Sequence, residues 1–473
     1  MTDSWNPEAQ DTSGLAARPA EGLIDAVERV DPYQYEGQIT QVVGTLLEAR
    51  VPGVAVGTIC EVSAGRGREP VLAEVVGFRG NISLMMAFDN VIGITHGSKV
   101  KPVRADFQVG VGDELLGRVI GPLGEPIDGA GALGCSREVS IFRESPDALS
   151  RRRIREPLAL GVRAMDSMLT LGKGQRVGIM AGSGVGKSTL LGMIARNVQA
   201  DVSVIALIGE RGREVREFIE ESLGEEGMRR SVVIAVTGDA SPVLRVKGAL
   251  VATTIAEYFR DKGKDVLFMM DSVTRLAMAQ REIGLATGEP PTARGYTPSV
   301  FSMLPQMLER CGTEATGGSI TGIFTVLVEG DDFNDPIADA TRGILDGHIV
   351  LSREMAARNH YPAIDILASA SRVMRAVVHP QQVADAGEIR ELLATYRDAE
   401  ELVNIGAYRP GSNPRIDRSL QMIEPIRDFL RQSIDEMAQP SETLASLAEL
   451  AMAGREELTT SAADAATSPA EQR

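Results

Sequence analysis

The stretch Ala181-Gly182-Ser183-Gly184-Val185-Gly186-Lys187-Ser188-Thr189 reads as a phosphate-binding loop, with Ala181 where the motif usually opens on glycine. Residues 177–180 before it form a short apolar run bounded by glycine, and Leu190, Leu191, Ile194 and Val198 after it recur at helical spacing. Strand, glycine-rich loop and helix in that order supply the context the motif needs. Glycines let successive backbone N–H groups turn inward around phosphate oxygens, and the helix N-terminus adds partial positive charge. Lys187 is placed to reach the β- and γ-phosphates, and Ser188 to offer its hydroxyl to Mg²⁺. The first expectation is therefore a nucleoside triphosphate site in an α/β fold.

At 473 residues and 43% apolar content, the chain has room for roughly two to four domains with sizeable cores. No charge-free apolar run approaches the ~20 residues that cross a bilayer, and the first residues lack a basic signal-like region, so a cytosolic protein is expected. A net charge of -16 argues against a surface that grips nucleic acid along its length, because phosphate contacts need clustered Lys and Arg. Cys60, Cys135 and Cys311 are scattered without metal-ligand spacing and read as reduced thiols. His96, His348, His360 and His379 form no pairing that suggests a metal site, so no metal beyond nucleotide-bound Mg²⁺ is indicated.

Working outward, residues 1–36 are expected to be a flexible segment carrying a brief amphipathic helix on Leu23, Ile24, Val27 and Val30. Residues 37–105 show short apolar runs (39–47, 54–62, 72–78, 82–88) punctuated by glycine, the pattern of a small barrel or sandwich. Residues 106–158 read as a connector ending in Arg151-Arg152-Arg153-Ile154-Arg155, a solvated charged linker. Residues 159–378 alternate apolar strands with helical segments, as in a parallel sheet covered on both faces. Residues 379–453 read as a small helical domain with Leu392, Leu393, Tyr396, Leu402 and Ile405 on one stripe and Ile423, Ile426, Phe429 and Leu430 on another. Residues 454–473 are expected to be a disordered tail.

Two further strands carry candidate chemistry. The apolar run Val266-Leu267-Phe268-Met269-Met270 ends in Asp271, where a carboxylate at the carboxyl end of a buried parallel strand can position Mg²⁺; an Asp capping the next helix would look the same in sequence. The run 202–208 leads into Gly209-Glu210-Arg211-Gly212-Arg213-Glu214. Hydrolysis needs a group that orients or deprotonates water. On the residues alone, Glu210 and Glu214 compete for that role, and either can instead pair with Arg211 or Arg213.

These segments resemble the F/V-type and type III export ATPase superfamily over nearly the whole chain. The resemblance implies an α/β RecA-like P-loop core with a parallel sheet, preceded by a small β-barrel and followed by a helical domain, and it implies ATP with Mg²⁺ as substrate. Gly209-Glu210-Arg211 is similar to the superfamily's catalytic glutamate motif, which puts water activation on Glu210. Pro362-Ala363-Ile364-Asp365-Ile366-Leu367-Ala368-Ser369-Ala370-Ser371 resembles its signature segment, and Arg372 follows it. In the resembling enzymes that arginine reaches across a subunit boundary into the neighbour's nucleotide site, where a planar cation stabilises the transferring phosphoryl group. Tyr361 matches a position whose ring stacks on adenine, Arg275 one that senses the γ-phosphate, and Arg211 is a further phosphate-side candidate.

Lys187, Glu210, Asp271 and Arg372 occur together in one polypeptide, so identical copies can complete every interface and a homohexameric ring is implied. The runs 271–284, 288–291, 328–332 and 344–353 look like the protein-export branch. The block Asn404-Ile405-Gly406-Ala407-Tyr408-Arg409-Pro410-Gly411-Ser412-Asn413 resembles flagellar forms more closely than virulence-type secretion ATPases. By the same resemblance, the N-terminal segment meets a regulatory dimer. The C-terminal domain meets a central coiled-coil stalk and the export gate. Exported proteins and their chaperones are further partners, and the ring is peripheral to the inner face of the membrane. A rotary-synthase catalytic subunit, a ring-shaped RNA translocase and an inactive ring subunit are the alternatives. The RNA translocase needs a basic, aromatic surface on the barrel, whereas Phe78 and Phe88 fall in runs that suggest core; Glu210 argues against inactivity.

Overall fold

The computed structural model of the chain describes residues 35–467 apart from positions 66, 316, 329 and 331, with side chains described as far as residue 455. The expected amphipathic helix of the leading segment lies outside the described residues.

Six strands, β1 (Gly37–Val43), β2 (Leu46–Arg50), β3 (Ile59–Val62), β4 (Val71–Arg79), β5 (Ile82–Ala87) and β6 (Lys99–Arg104), close into a barrel in the order β1-β2-β5-β4-β3-β6. Ile39, Leu47, Ala49, Cys60, Val62, Ala73, Val75 and Val100 supply its buried side chains. Closure leaves no edge strand open to another chain. The run expected at 39–47 is a hairpin that turns at 44–45, and only the last four residues of 54–62 are strand. β6 was not legible as a strand because Lys99, Lys101, Pro102 and Arg104 hide its alternation. Phe78 departs from the expected core: it is 48% exposed near the end of β4, while Phe88 is buried.

After the barrel come five short strands, β7 (Gln108–Val111), β8 (Val119–Ile120), β9 (Arg137–Ser140), β10 (Pro157–Leu158) and β11 (Leu171–Gly172); β7 pairs with β9 and β10 with β11. The main sheet is built from β12 (Arg176–Ala181), β13 (Val202–Glu210), β14 (Ser231–Thr237), β15 (Asp265–Asp271), β17 (Ser319–Leu327), β18 (Gly347–Leu351) and β19 (Ile364–Ser371), with β8 at one end and the short β16 (Gly312–Thr313) paired to β17. Its order is β19-β18-β12-β17-β15-β13-β14-β8. Strands β8 to β18 along this path run parallel, and only β19 turns back, antiparallel to β18.

All nine positions of β13 are buried. The helix Pro242–Asp261 packs on β13, β14 and β15, and the helix Val273–Thr287 packs on β13 and β17. Ile205 and Leu207 of the same strand share a core cluster with Leu190, Leu191 and Ile194 of the helix Lys187–Asn197, and a strand covered in this way on both faces reads as a nearly continuous apolar run. The register sets Ala181 beside Leu327 and Leu351, and Leu207 beside Asp271. The carboxyl ends of β12, β13, β15, β17 and β18 therefore emerge along one edge, the place where open α/β sheets bind ligands.

Beyond β19 the helices Pro380–Asn404, Pro414–Leu430 and Pro440–Thr467 follow, each opening on a proline, whose missing N–H costs nothing at a first helical position. Ile389, Leu392, Ile426, Phe429, Leu430 and Leu447 join the core that continues to the phosphate-loop strand. Leu402 and Ile405 do not extend the buried stripe; at the end of the first of these helices they are 47% and 75% exposed. The last helix runs to Thr467, past the boundary expected at 453.

Candidate active site

Strand β12 ends at Ala181, whose methyl is buried and whose carbonyl accepts the Val328 N–H at 3.0 Å. The loop that follows opens the helix Lys187–Asn197 from Gly186, at φ +92°, a backbone region that side-chain-bearing residues rarely adopt. No acidic residue stands in the first turn of that helix, so its exposed N–H groups and positive dipole end face an anion unopposed. A cavity of about 590 Å³ lies over the loop, lined by Gly182, Ser183, Gly184, Lys187, Ser188 and Thr189 and, across from them, by Glu210, Arg211, Glu214, Arg275 and Arg353.

Lys187 Nζ donates to Asp271 Oδ1 and lies 3.9 Å from Glu210 Oε1. Thr325 Oγ1 on β17 donates to the same Asp271 oxygen at 2.6 Å. Asp271 is not the cap of the following helix: Ser272 holds that place, its Oγ accepting the Arg275 N–H at 3.3 Å. Asp271 thus stays turned toward the loop. Ser188 is exposed on the first turn of the loop helix and lines the same cavity. Among the described residues no three His, Cys, Asp or Glu side chains group closely enough to hold a metal alone. A hydroxyl and one carboxylate beside a phosphate cradle nevertheless match Mg²⁺, which typically binds through one or two carboxylates, water and substrate phosphates.

Glu210 ends β13 just after a bulge, where the register against β14 shifts between Ile208 and Glu210. Gly209 makes that bulge with φ +76°, and a Cβ there would stand 2.9 Å from Arg275 Cδ. Bulges beside active sites re-aim a side chain, and here Glu210 is turned onto Arg275, whose Nε donates to Oε1 at 3.1 Å. Burial, the nearby Asp271 carboxylate and a hydrogen bond with Glu214 raise the Glu210 pKa to about 7. Glu214 moves the other way, mainly through its bond with Glu210, so the shared proton sits on Glu210. The two glutamates that compete in sequence are therefore distinct: Glu210 is buried at 6% exposure, whereas Glu214 pairs with the outward Arg211 at 3.2 Å.

Tyr361 lies against the loop: a Cβ on Gly186 would stand 3.4 Å from its ring. Its carbonyl accepts the Gln432 N–H at 3.0 Å from the turn between the last two helices. Arg372 is not brought to this cavity. It follows the last residue of β19, where Ser371 pairs with Gly347 at the amino end of β18, and its N–H donates to Asp346 O at 3.0 Å. Strands rise about 3.3 Å per residue, so the step from Asp346 to Leu351 leaves Arg372 roughly 16 Å along the sheet from the loop, beyond the reach of an arginine side chain. Among the described residues its exposed guanidinium donates only to the edge of its own chain, at Arg342 O, 3.4 Å away. Two residues of the site were missed in sequence: Thr325, a β-branched residue inside an ordinary core strand, and Arg353, whose place just after the carboxyl end of β18 is a signal that could have found it.

Three family descriptions match the chain in succession: the ATP synthase alpha/beta family beta-barrel domain over residues 39–104, the nucleotide-binding domain of the same family over 161–371, and the T3SS EscN ATPase C-terminal domain over 378–449. The flagellum-specific ATP synthase of Bacillus subtilis is 50% identical over 431 residues, which cover 91% of this chain and 98% of that protein. The type 3 secretion system ATPase of Xanthomonas euvesicatoria is 52% identical over 408 residues, covering 86% and 92%. The solved structure of the assembled ATPase EscN in complex with its central stalk EscO, from the type III secretion system of enteropathogenic E. coli, matches with a TM-score of 0.81 at 45% identity, covering 88% of this chain and all of that one.

Proposed function

The chain belongs to the family of flagellum-specific ATP synthases and type 3 secretion system ATPases, and from that premise we propose that it hydrolyses ATP in a homohexameric ring to energise type III protein export. Identity of 52% over 86% of the chain to a type 3 secretion system ATPase, with the matching C-terminal domain of that group, favours this over a rotary-synthase catalytic subunit or an RNA translocase. The block Asn404 to Asn413 supports flagellar components as the cargo. The comparable identity of the Xanthomonas relative makes virulence-type secretion the second reading.

In the proposed mechanism the backbone of 182–188 and Lys187 hold the β- and γ-phosphates, and Tyr361 packs on the adenine. Ser188 and Asp271 are the donors that would hold Mg²⁺, which when bound neutralises charge on the phosphate oxygens. Glu210 orients the attacking water and takes its proton. Its pKa near 7 suits a base working close to neutrality. Arg275, bonded to Glu210, reports the γ-phosphate to the base, and Arg211 borders the same side. Arg372 enters the next copy's cavity and stabilises the charge that spreads over the transferring phosphoryl group. One observation carries this division: Lys187, Glu210 and Asp271 converge on the loop while Arg372 lies on the opposite edge of the same sheet.

Residues 159–378 form the catalytic domain in this reading and the helices after 379 the part that moves. The exposed Leu402 and Ile405 offer apolar contacts to a coiled-coil partner, proposed as the counterpart of the central stalk in the EscN complex. Among the described residues no helix is long and apolar enough to cross a membrane, and attachment to the inner face of the membrane through the export gate is the proposed location. The N-terminal segment is assigned to a regulatory dimer. Rings assembled from Arg372→Ala chains mixed with Lys187→Ala chains test the central point. Each variant alone is expected to be inactive, and the mixture to recover turnover at interfaces pairing an intact cradle with an intact arginine; mixed rings without recovery would refute the shared site.

A further inference from the structure

Gln175 is fully buried one residue before β12, and every polar atom of its amide is used. Its Oε1 accepts the Gly172 N–H at 2.9 Å, and its Nε2 donates to Asp346 O at 3.2 Å and to Ser371 Oγ at 3.1 Å. Both acceptors bear on Arg372. Asp346 O also receives the Arg372 backbone N–H at 3.0 Å, and Ser371 is its chain neighbour, anchored in turn through Oγ to Thr170 O at 2.9 Å. Gly347 leaves the space for this arrangement, since a Cβ there would fall 2.5 Å from Ala370 O and 3.4 Å from Gln175 Nε2.

We propose that Gln175 is a positioning residue for the neighbouring copy's reaction: it ties the backbone beneath Arg372 to the root of the strand that carries this chain's own phosphate loop. The inference rests on the shared-site reading above. Because the Arg372 guanidinium has, among the described residues, only the 3.4 Å hydrogen bond to Arg342 O, its placement is inherited from the backbone. A misplacement of about 1 Å in a catalytic group lowers rate by about 10²-fold. The direct neighbour of Gln175, Arg176, fixes the same corner through its backbone N–H and Nε to Asp346 Oδ2 at 3.0 and 3.1 Å, so the amide and the ion pair hold one rigid junction.

The test uses full-length chains in mixed rings. The accepting chain carries Arg372→Ala, leaving a cradle without an arginine, and the donating chain carries Lys187→Ala, leaving an arginine without a cradle. Gln175→Leu is then placed in one chain or the other. In the donor it is expected to lower kcat of the mixture by about 10- to 100-fold with KM for ATP changed less than about 3-fold; in the acceptor it is expected to change kcat less than about 3-fold. Equal loss from both placements, or a larger loss from the acceptor, overturns the positioning role and leaves the shared site standing. An inactive starting mixture overturns the shared site itself. Should donors with Gln175→Leu fail to enter rings, Ser371→Ala in the donor removes one of the two acceptors without altering β12. It is expected to lower kcat in the same direction by about 3- to 10-fold, and unchanged kcat in those rings overturns the proposal.

Discussion

At the carboxyl end of the main sheet Lys187, Glu210, Asp271 and Arg275 engage one another through ionic contacts no longer than 3.9 Å, whereas at the amino end Arg372 has its backbone pinned and, among the described residues, a single long hydrogen bond from its guanidinium. The first arrangement preorganises a pocket, because its polar groups are already partnered and mostly buried, so little must be reordered when phosphate binds. The second leaves a cation available, and the proposed shared site assigns it to a phosphate held by another copy. A site divided between subunits needs both kinds of order: fixed side chains where the substrate binds, and a fixed backbone with an available side chain where the neighbour is met.

The sharpest way to break this contrast is Arg372→Ala. It is expected to lower turnover of assembled rings by about 10³- to 10⁵-fold while leaving nucleotide affinity within a few-fold, measured by steady-state hydrolysis beside equilibrium binding. A large loss of affinity instead would mean that the arginine holds the bound nucleotide rather than the transition state. Next in size, Glu210→Gln is expected to retain ATP binding and lose about 10²- to 10⁴-fold in kcat; hydrolysis at the parent rate would move the base away from the carboxyl edge.

The pH profile sharpens the same comparison. Because burial and Asp271 raise the Glu210 pKa to about 7, the base form is gained only as pH rises through that value, so kcat/KM is expected to climb about tenfold per unit below 7 and level above it. A profile flat from pH 5.5 to about 8 would mean an ordinary carboxylate. The smallest effect concerns stability. The protonated form of Glu210 is favoured in the fold, so its contribution is fully present below the ordinary pKa of 4.5 and lost as pH rises through about 7. The nucleotide-free Glu210→Gln protein is thus expected to melt a few degrees above the parent at pH 8 and to match it near pH 4, by thermal unfolding; the reverse order would indicate that Lys187 and Arg275 outweigh burial.

Much of the cradle was legible because its chemistry is local. A phosphate loop is contiguous in sequence, and glycine, lysine and hydroxyl spacing reports the backbone directly. Asp271 was legible as the polar end of an apolar strand. The choice between Glu210 and Glu214, which resemblance alone had placed on Glu210, was not legible in the residues themselves, since it turns on the bulge at Gly209 and on which side chain the fold desolvates. Phe78 and Ile405 read as core in one dimension and stand exposed in three, because periodicity marks a face without saying whether anything covers it.

The sequence by itself determined the α/β class, the phosphate loop and the strand that brings the Asp271 carboxylate, which follow from short-range spacing and side-chain chemistry, whereas Glu210, Tyr361 and Arg372 were singled out only by family resemblance. Only the tertiary structure decided that Thr325 and Ser272 leave Asp271 turned to the loop, that Glu210 is the buried member of its pair, and that Arg372 emerges on the far edge with Gln175 beneath it. The reason is physical. Those outcomes depend on strand order and register, which join residues up to two hundred positions apart and are set by packing of the whole sheet.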